Sequence, residues 1–253
     1  MQIDVFCITP DEELFSHIRE NCASTKKWSK VIPAHDGAAV LVGGGPSLRS
    51  RLSSIRKRQE LGQTIFALNS AAKFLIDNGI VPDYQVLLDP QPFLVDYIAP
   101  AKEHLIASQC HPSVLKAVPD ATLWHLAVEG AEEQIPEHDE AFCLVGGGIS
   151  VGLSAMFLAY SMGFRKLHLY GYDSSFEDNN GHAYTSPMKV DANSVRVTVG
   201  GKQFVSTLNM VRQAQDFPNR CDDLIDRGCL ITVECDGLLR AIVDENAKAA
   251  QAA

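Results

Sequence analysis

The most informative part of the sequence is Leu41-Val42-Gly43-Gly44-Gly45-Pro46-Ser47, and a similar stretch follows later, Leu144-Val145-Gly146-Gly147-Gly148-Ile149-Ser150. Each stretch lies between a short apolar run and a run with helical periodicity, so each predicts a strand, a tight turn and a helix. Glycine lets a ligand approach the main chain, and a helix N-terminus offers unpaired N–H groups. The two stretches therefore predict anion-binding turns at the carboxyl edge of a parallel sheet.

Neither turn matches a dinucleotide-binding or P-loop fingerprint. The G-x-G-x-x-G pattern would need glycine where Leu48 and Val151 stand, and no Gly-Lys-Ser/Thr triplet occurs. Two interpretations therefore stay open: the turns bind the phosphates of a nucleotide, or they only connect strand to helix. On the first interpretation the ligand-binding residues are Gly43, Gly44, Gly45, Pro46, Ser47, Gly146, Gly147, Gly148 and Ser150, joined by Asn69 and Gly171 at the ends of two other predicted strands.

Outward from these turns, short β-branched runs alternate with helical stretches. This alternation predicts an α/β fold, a Rossmann-like and mostly parallel sheet, with helices on both faces because the strands are apolar throughout. The predicted strands are Ala38–Val42, Thr64–Leu68, Tyr84–Leu88, His104–Ala107, Thr122–Leu126, Phe142–Val145, Lys166–Tyr170 and Cys229–Val233. The predicted helices are Pro46–Leu61, Ser70–Asn78, Ser113–Val118, Ser150–Met162, Thr207–Phe217 and Gly237–Ala253.

Both ends of the chain depart from this alternation. Residues 1–37 are predicted as a small N-terminal element, with a strand Gln2–Ile8 and a helix Pro10–Asn21 that Thr9 caps. Residues 38–253 form the predicted Rossmann-like nucleotide-binding domain. Its C-terminal extension contains a hairpin of Val195–Val199 and Gln203–Val205 around two glycines, followed by helix.

The composition is that of an acidic globular protein. The chain has 253 residues, 46% of them hydrophobic, with 22 Lys and Arg against 31 Asp and Glu, a net charge of −9. An acidic surface without basic runs argues against nucleic-acid binding. The 7 cysteines are scattered without a C-x-x-C pair, which indicates reduced thiols and a cytoplasmic location. We expect no membrane span and no signal peptide.

Polar side chains at predicted strand ends complete the candidate site. Asp89 and Asp173 each follow a strand, so both are predicted to hold Mg²⁺ against phosphates, with helix caps or solvated acids as the alternative. Asn69 ends another strand on the same edge and either contacts a base or ribose or caps the next helix. His182 lies in a polar loop and is a candidate general acid or base, or a phosphate contact.

Several segments between about Ala38 and Tyr184 also form a recognisable series: Val42-Gly43-Gly44-Gly45-Pro46-Ser47-Leu48, Ala67-Leu68-Asn69-Ser70, Pro82-Asp83-Tyr84, Leu88-Asp89, Gly147-Gly148-Ile149-Ser150-Val151-Gly152, Gly163-Phe164, Leu169-Tyr170-Gly171-Tyr172-Asp173 and His182-Ala183-Tyr184. In this order they resemble the MptE-like 6-hydroxymethylpterin diphosphokinase family, which includes the central domain of motility accessory factors. The chain more distantly resembles single-domain bacterial sialyltransferases that use CMP-sialic acid.

The resemblance implies a nucleotide-dependent transferase acting on a small-molecule acceptor. In the first hypothesis ATP lies on the two glycine turns, Asp89 and Asp173 hold Mg²⁺, and His182 and Asp173 are catalytic in diphosphate transfer to a pterin alcohol. In the second, a glycosyltransferase uses a CMP-activated sugar, with His182 as base or phosphate contact. In the third, the domain binds nucleotide without catalysis. A homo-oligomer is compatible with all three.

Overall fold

The structure, a computed structural model, describes residues 9–25, 27–136, 143–148, 150–186 and 189–252. Its centre is an eight-stranded sheet with the strand order β10-β7-β1-β2-β3-β4-β5-β6, in which every pairing is parallel. The strands are β1 (Ala38–Val42), β2 (Thr64–Leu68), β3 (Tyr84–Leu87), β4 (Glu103–Ala107), β5 (Thr122–Leu126), β6 (Leu144–Val145), β7 (Lys166–Tyr170) and β10 (Leu230–Glu234).

Helices connect the strands. They are α1 (Asp11–Ser24), α2 (Leu48–Glu60), α3 (Ala71–Asp77), α4 (Pro112–Ala117), α5 (Val151–Ser161), α6 (Leu208–Asp226) and α7 (Gly237–Ala252). Two 3₁₀ helices, Pro92–Tyr97 and Glu132–Gln134, were not predicted from the sequence. The predicted α/β class is confirmed.

Alternate side chains of β1 enter two different cores, because successive side chains of a strand point to opposite faces. Ala39 and Leu41 belong to the core cluster that also contains residues of α5 and α6. Val40 and Val42 belong to the cluster formed with α2 and α3. Helices therefore cover both faces of the sheet, and this confirms the expectation drawn from the uniformly apolar strands.

The order of the strands reverses beside β1. From β1 the chain adds β2 to β6 in one direction, and α5 then crosses back so that β7 pairs with the opposite side of β1. The Gly43 N–H donates to the Tyr170 carbonyl (2.8 Å) and the Gly45 N–H donates to the Gly171 carbonyl (2.9 Å), which joins the two strand ends. Ligands of open α/β sheets bind at such a reversal, outside the carboxyl ends of the strands.

Helix α6 extends beyond the predicted end at Phe217, and it contains Pro218. Proline removes one backbone hydrogen bond from a helix interior. The buried positions Ala214, Phe217, Cys221 and Leu224 continue at helical spacing on both sides of that proline. Burial of these side chains in the core stabilises the helix, which explains why it continues past a proline that locally favours a helix end.

The N-terminal helix differs from the prediction in its cap. Pro10 precedes α1 without a side-chain capping bond, and the Thr9 hydroxyl instead accepts a hydrogen bond from the Gln91 amide (2.8 Å). The buried Asn21 amide donates to the Ser108 and Cys110 carbonyls (2.9 and 2.8 Å), which fastens α1 to the end of β4. The predicted strand Gln2–Ile8 lies outside the described residues, and the domain division at residue 37 stays a prediction.

The C-terminal hairpin is confirmed. Strands β8 (Val195–Val199) and β9 (Lys202–Ser206) pair antiparallel around Gly200 and Gly201, which both have positive φ. The six cysteines of the described residues are free thiols, and burial raises the pKa of Cys22 and Cys110 to about 12. Among the described helices, none combines the length and the apolar character needed to cross a bilayer.

Candidate functional site

A cavity of about 340 Å³ lies at the reversal of strand order. Its volume is typical of a small-molecule site. Its walls come from the ends of β1, β2, β3 and β7, the start of α5, the loop that follows β7 and the first turns of α6. The lining residues are Gly43, Gly44, Gly45, Leu68, Asn69, Ser70, Asp89, Phe93, Tyr97, Val151, Gly152, Gly171, Tyr172, Ser174, Gly181, His182, Tyr184, Met210 and Gln213.

The first glycine turn, Gly43–Ser47, is glycine-rich because other segments press against it. A Cβ on Gly43 would lie 2.7 Å from the Gly171 carbonyl oxygen, so the ends of β1 and β7 could not approach as closely. A Cβ on Gly44 would overlap the Tyr184 hydroxyl and lie 2.5 Å from His182 Cδ2. The glycines therefore serve close packing and also leave bare main chain at the cavity wall.

Asp173 does not line the cavity, contrary to the expectation that it holds metal there. It is 3% exposed, and its carboxylate accepts hydrogen bonds from the Ser47 N–H (2.8 Å), the Ser47 hydroxyl (2.6 Å) and the Asp236 N–H (2.9 Å). Burial raises the pKa of this carboxyl, and the three hydrogen bonds oppose the rise. The carboxylate thus already occupies the positive end of α2, where the sequence predicted a phosphate.

We expect Asp173→Asn to lower the free energy of unfolding by about 2–4 kcal/mol, because an amide accepts through one oxygen and would turn its NH₂ group toward the remaining donors. Denaturant titration measures this loss. Asp236→Asn is the matched control, since its exposed carboxylate pairs with Arg51 (3.2 Å) and such surface pairs contribute 1 kcal/mol or less. Equal effects of the two substitutions would contradict the structural role of Asp173.

The second glycine turn, Gly146–Ser150, does not reach the cavity with its described residues. Gly147 has φ +115°, and a Cβ there would lie 2.5 Å from the Ser154 Cα, so this glycine permits the chain to fold back on α5. The Ser150 hydroxyl caps α5 by accepting from the Leu153 N–H (3.3 Å). Val151 and Gly152, the first residues of α5, are the ones that reach the cavity.

Asn69 lines the cavity, but its amide is engaged by the neighbouring strand. Its Oδ1 accepts from the Leu88 N–H (3.0 Å) and its Nδ2 donates to the Leu88 carbonyl (3.3 Å). The residue adopts φ +45°, and no side-chain bond caps α3. Asn69 therefore fixes the end of β2 to the end of β3 and shapes the cavity wall. This role was missed because its partner lies on another strand.

Asp89 opens directly into the cavity beside two aromatic rings. One of its oxygens accepts from the Gln91 N–H (2.9 Å), and burial raises the pKa of the carboxyl. The unpredicted 3₁₀ helix Pro92–Tyr97 carries Phe93, which is 46% exposed, and Tyr97, whose ring lies 5.6 Å from that of Phe93. A Pro-x-Pro-Phe pattern directly after a strand-end aspartate is the sequence signal for this wall.

His182 lines the cavity as predicted. Its Nδ1 is buried and has no hydrogen-bond partner among the described residues. Burial, reinforced by the charge of Lys189, lowers the pKa of the imidazole, so the ring is neutral at pH 7. The ring stacks on Tyr184 with centroids 5.2 Å apart. A neutral imidazole in the wall of a cavity can accept a proton from a bound hydroxyl.

The side chains present fit a divalent cation that a nucleotide helps to bind. Within the described ranges, no three His, Cys, Asp or Glu side chains form a group able to hold a metal ion. Mg²⁺ commonly takes one or two carboxylates and completes its shell with phosphate oxygens and water. Asp89 can supply such a carboxylate from the cavity wall. Asp173 lies outside the cavity lining, and its oxygens accept three hydrogen bonds from the protein.

Known proteins share this architecture. The MAf glycosyltransferase from Magnetospirillum magneticum AMB-1 superposes with a TM-score of 0.64 at 20% sequence identity, over 89% of this chain and 37% of the other. The chain thus spans little more than a third of that protein, and at this identity the likeness concerns the fold. No curated protein matches the sequence significantly. Residues 13–179 match the 6-hydroxymethylpterin diphosphokinase MptE-like model, so the chain belongs to this family of transferases.

Proposed function

We propose that this chain transfers a diphosphate group from ATP to the hydroxymethyl group of a 6-hydroxymethylpterin-type alcohol. The observation that carries the proposal is the neutral imidazole of His182 in the wall of a cavity that the first glycine turn and the start of α5 also line. Family membership supplies the substrate class. The N-terminus of α5 suits phosphates, and a neutral imidazole suits an attacking hydroxyl.

In this reaction the hydroxymethyl oxygen forms a bond to the β-phosphorus of ATP, and the bond between that phosphorus and the oxygen bridging to the α-phosphate breaks. AMP leaves, and the hydroxyl proton passes to the imidazole of His182. The exposed face of Phe93 offers a platform for a planar ring, since aromatic groups prefer offset or edge-to-face contact. Positioning and charge neutralisation provide most of the catalysis in phosphoryl transfer.

The site must neutralise the negative charge of the nucleotide phosphates. Among the described lining residues, Asp89 is the one with a full charge, and it is negative. A nucleotide triphosphate therefore needs a divalent cation, which would neutralise the phosphates when bound at Asp89. The backbone N–H groups at the start of α5 would add to this stabilisation through the helix dipole.

Thermal unfolding with ATP, AMP, CTP and CMP, each with and without Mg²⁺, tests the donor. A ligand at 100 times its Kd stabilises by about 2.7 kcal/mol, which for a chain of this length raises the unfolding midpoint by about 5–10 °C. We expect a Mg²⁺-dependent rise with ATP, followed by AMP release when the pterin alcohol is added. A rise with nucleotide but no turnover with any donor would instead support a binding domain without catalysis.

We expect Asp89→Asn to abolish the Mg²⁺-dependent part of the ATP shift and to reduce AMP release at least 100-fold, while the midpoint without ligand stays within a few degrees. Asp96→Asn is the matched control, because Asp96 is an exposed carboxylate on the adjacent 3₁₀ helix outside the cavity lining. Unchanged Mg²⁺ dependence in Asp89→Asn would exclude the metal role of this residue.

A second candidate is glycosyl transfer from a CMP-activated sugar. The observation that favours it is the lack of lysine and arginine among the described lining residues, because CMP carries one phosphate and needs less neutralisation than ATP. An acceptor hydroxyl would attack the anomeric carbon, its proton would pass to His182, and CMP would leave. A metal-independent thermal shift with CMP or CTP, together with CMP release from the activated sugar, would support this reaction in place of the first.

A further inference from the structure

We propose that Arg49 is a positioning residue that holds His182 at the cavity, an inference that rests on the proposed function of this site. Arg49 donates from Nε to the Ala183 carbonyl (2.6 Å) and from Nη2 to the His182 carbonyl (3.2 Å). Both carbonyls belong to the histidine loop, residues 181–184. One guanidinium therefore binds the backbone of His182 and of the residue that follows it.

The histidine loop is held from two further sides. The Ala183 N–H donates to the Gly44 carbonyl (2.9 Å), which ties the loop to the first glycine turn. The Tyr184 hydroxyl and the Ser70 hydroxyl share a hydrogen bond (2.7 Å), and burial raises the pKa of Tyr184 to about 12, so the phenol stays protonated. These contacts fix the loop on the ends of β1 and β2.

The imidazole itself depends on these backbone contacts. His182 Nδ1 has no hydrogen-bond partner among the described residues, so no bond at that atom orients the ring. The ring is placed by stacking on Tyr184 and by the backbone that Arg49 binds. A shift of about 1 Å in a catalytic group lowers a rate about 100-fold.

Arg49 acts from outside the cavity and from a rigid support. It does not line the cavity, so it is not placed to touch the substrate. It lies in the first turn of α2, next to the fully buried Leu48. Its Nη1 lies 3.7 Å from Glu177 Oε2, in the same loop region as the histidine. The planar fork of arginine can donate to two carbonyls at once, and a lysine ammonium matches this geometry poorly.

Kinetics of single and double variants test the coupling. We expect Arg49→Ala to lower kcat by about 10–100-fold while the nucleotide-induced thermal shift stays the same, and Arg49→Lys to lose less. In the His182→Asn background, Arg49→Ala should cause no further loss, because it acts through that ring. The matched control is Arg56→Ala, which removes an exposed arginine of α2 that also donates to two backbone carbonyls, those of Asn78 (2.7 Å) and Gly79 (3.5 Å). Equal losses in both backgrounds would overturn the proposal.

An NMR titration of His182 tests the same inference without substrate, with its signal assigned by comparison with His182→Asn. Release of the loop exposes the imidazole, so the pKa of His182 should rise toward its ordinary value in Arg49→Ala and stay low in Arg56→Ala. An unchanged titration in Arg49→Ala would overturn the positioning role even if kcat falls. Because this measurement needs no turnover, it separates failure of the inference from failure of the proposed reaction.

Discussion

His182→Asn is expected to reduce kcat for diphosphate transfer by about 10²–10⁴-fold, the usual contribution of a positioned general base. The imidazole is the one neutral proton acceptor of this strength among the described lining residues. Asparagine keeps a polar group of similar size but cannot take a proton at neutral pH. The nucleotide-induced thermal shift should persist, since the main chain of the first glycine turn is unchanged.

The pH profile adds an independent check. Burial lowers the pKa of His182 below the ordinary value of about 6.5, so the basic form persists to lower pH than in an exposed histidine. We expect kcat/KM to be flat near neutral pH and to fall on the acid side below about pH 6.5, and His182→Asn to lack this acid limb. The unfolded chain binds the proton first as pH falls, so the histidine's contribution to stability is also lost in that direction.

His35→Asn is the matched control for this substitution. His35 is an exposed histidine whose ring packs on Phe164 with centroids 4.5 Å apart, and it does not line the cavity. It should leave kcat and the pH profile unchanged. If His182→Asn turned over as fast as the control, the general-base assignment would be wrong, and the glycosyl-transfer alternative, which uses the same base, would lose its support as well.

Gly147→Ala is expected to lower the free energy of unfolding by about 3–5 kcal/mol, the largest effect on stability that we predict. The backbone has φ +115°, a conformation that side-chain-bearing residues rarely adopt. The added Cβ would also lie 2.5 Å from the Ser154 Cα and 2.7 Å from the Leu153 carbonyl oxygen. These are main-chain atoms of α5, which cannot rotate away. Calorimetry should show a midpoint lowered by roughly 10 °C or more.

Gly201→Ala separates backbone strain from steric overlap. Gly201 has φ +77°, and a Cβ there would meet no atom within 4 Å. This variant should lose about 1 kcal/mol from the positive φ alone. Similar losses in the two variants would show that contact with α5 contributes nothing at Gly147. A stable Gly147→Ala protein that no longer binds nucleotide would instead return the second glycine turn to a ligand-binding role.

Patterns of neighbouring residues in the sequence were sufficient to predict the strands of the central sheet. The bounds predicted for β1, β2, β5 and β7 match the structure residue for residue. Short apolar runs bounded by glycine, proline or polar residues report strands well, because that signal resides in neighbouring residues. The same local patterns predicted an end of α6 at Phe217, which is too early. The buried side chains of α6 on both sides of Pro218 pack in a core formed by distant segments, and this packing stabilises the longer helix.

In the candidate site, two aspartates with similar local sequence have different environments. Asp89 and Asp173 have the same local context, an acid just past a strand, and the sequence predicted the same role for both. Their environments differ because Asp173 meets Ser47 and Asp236, residues 126 and 63 positions away. These partners cover the carboxylate, whereas Asp89 stays open to the cavity.

The two glycine turns likewise have similar sequences but different positions relative to the cavity. Their sequences predict the same order of strand, turn and helix, and each described strand is followed by a helix as predicted. Of the described residues of the two turns, only those of the first line the cavity, because β1 lies at the reversal of strand order while β6 ends the sheet at its far edge. Turn and strand chemistry is a property of adjacent residues. Which turn faces a ligand, which carboxylate is covered and which arginine holds His182 depend on contacts between segments far apart in sequence.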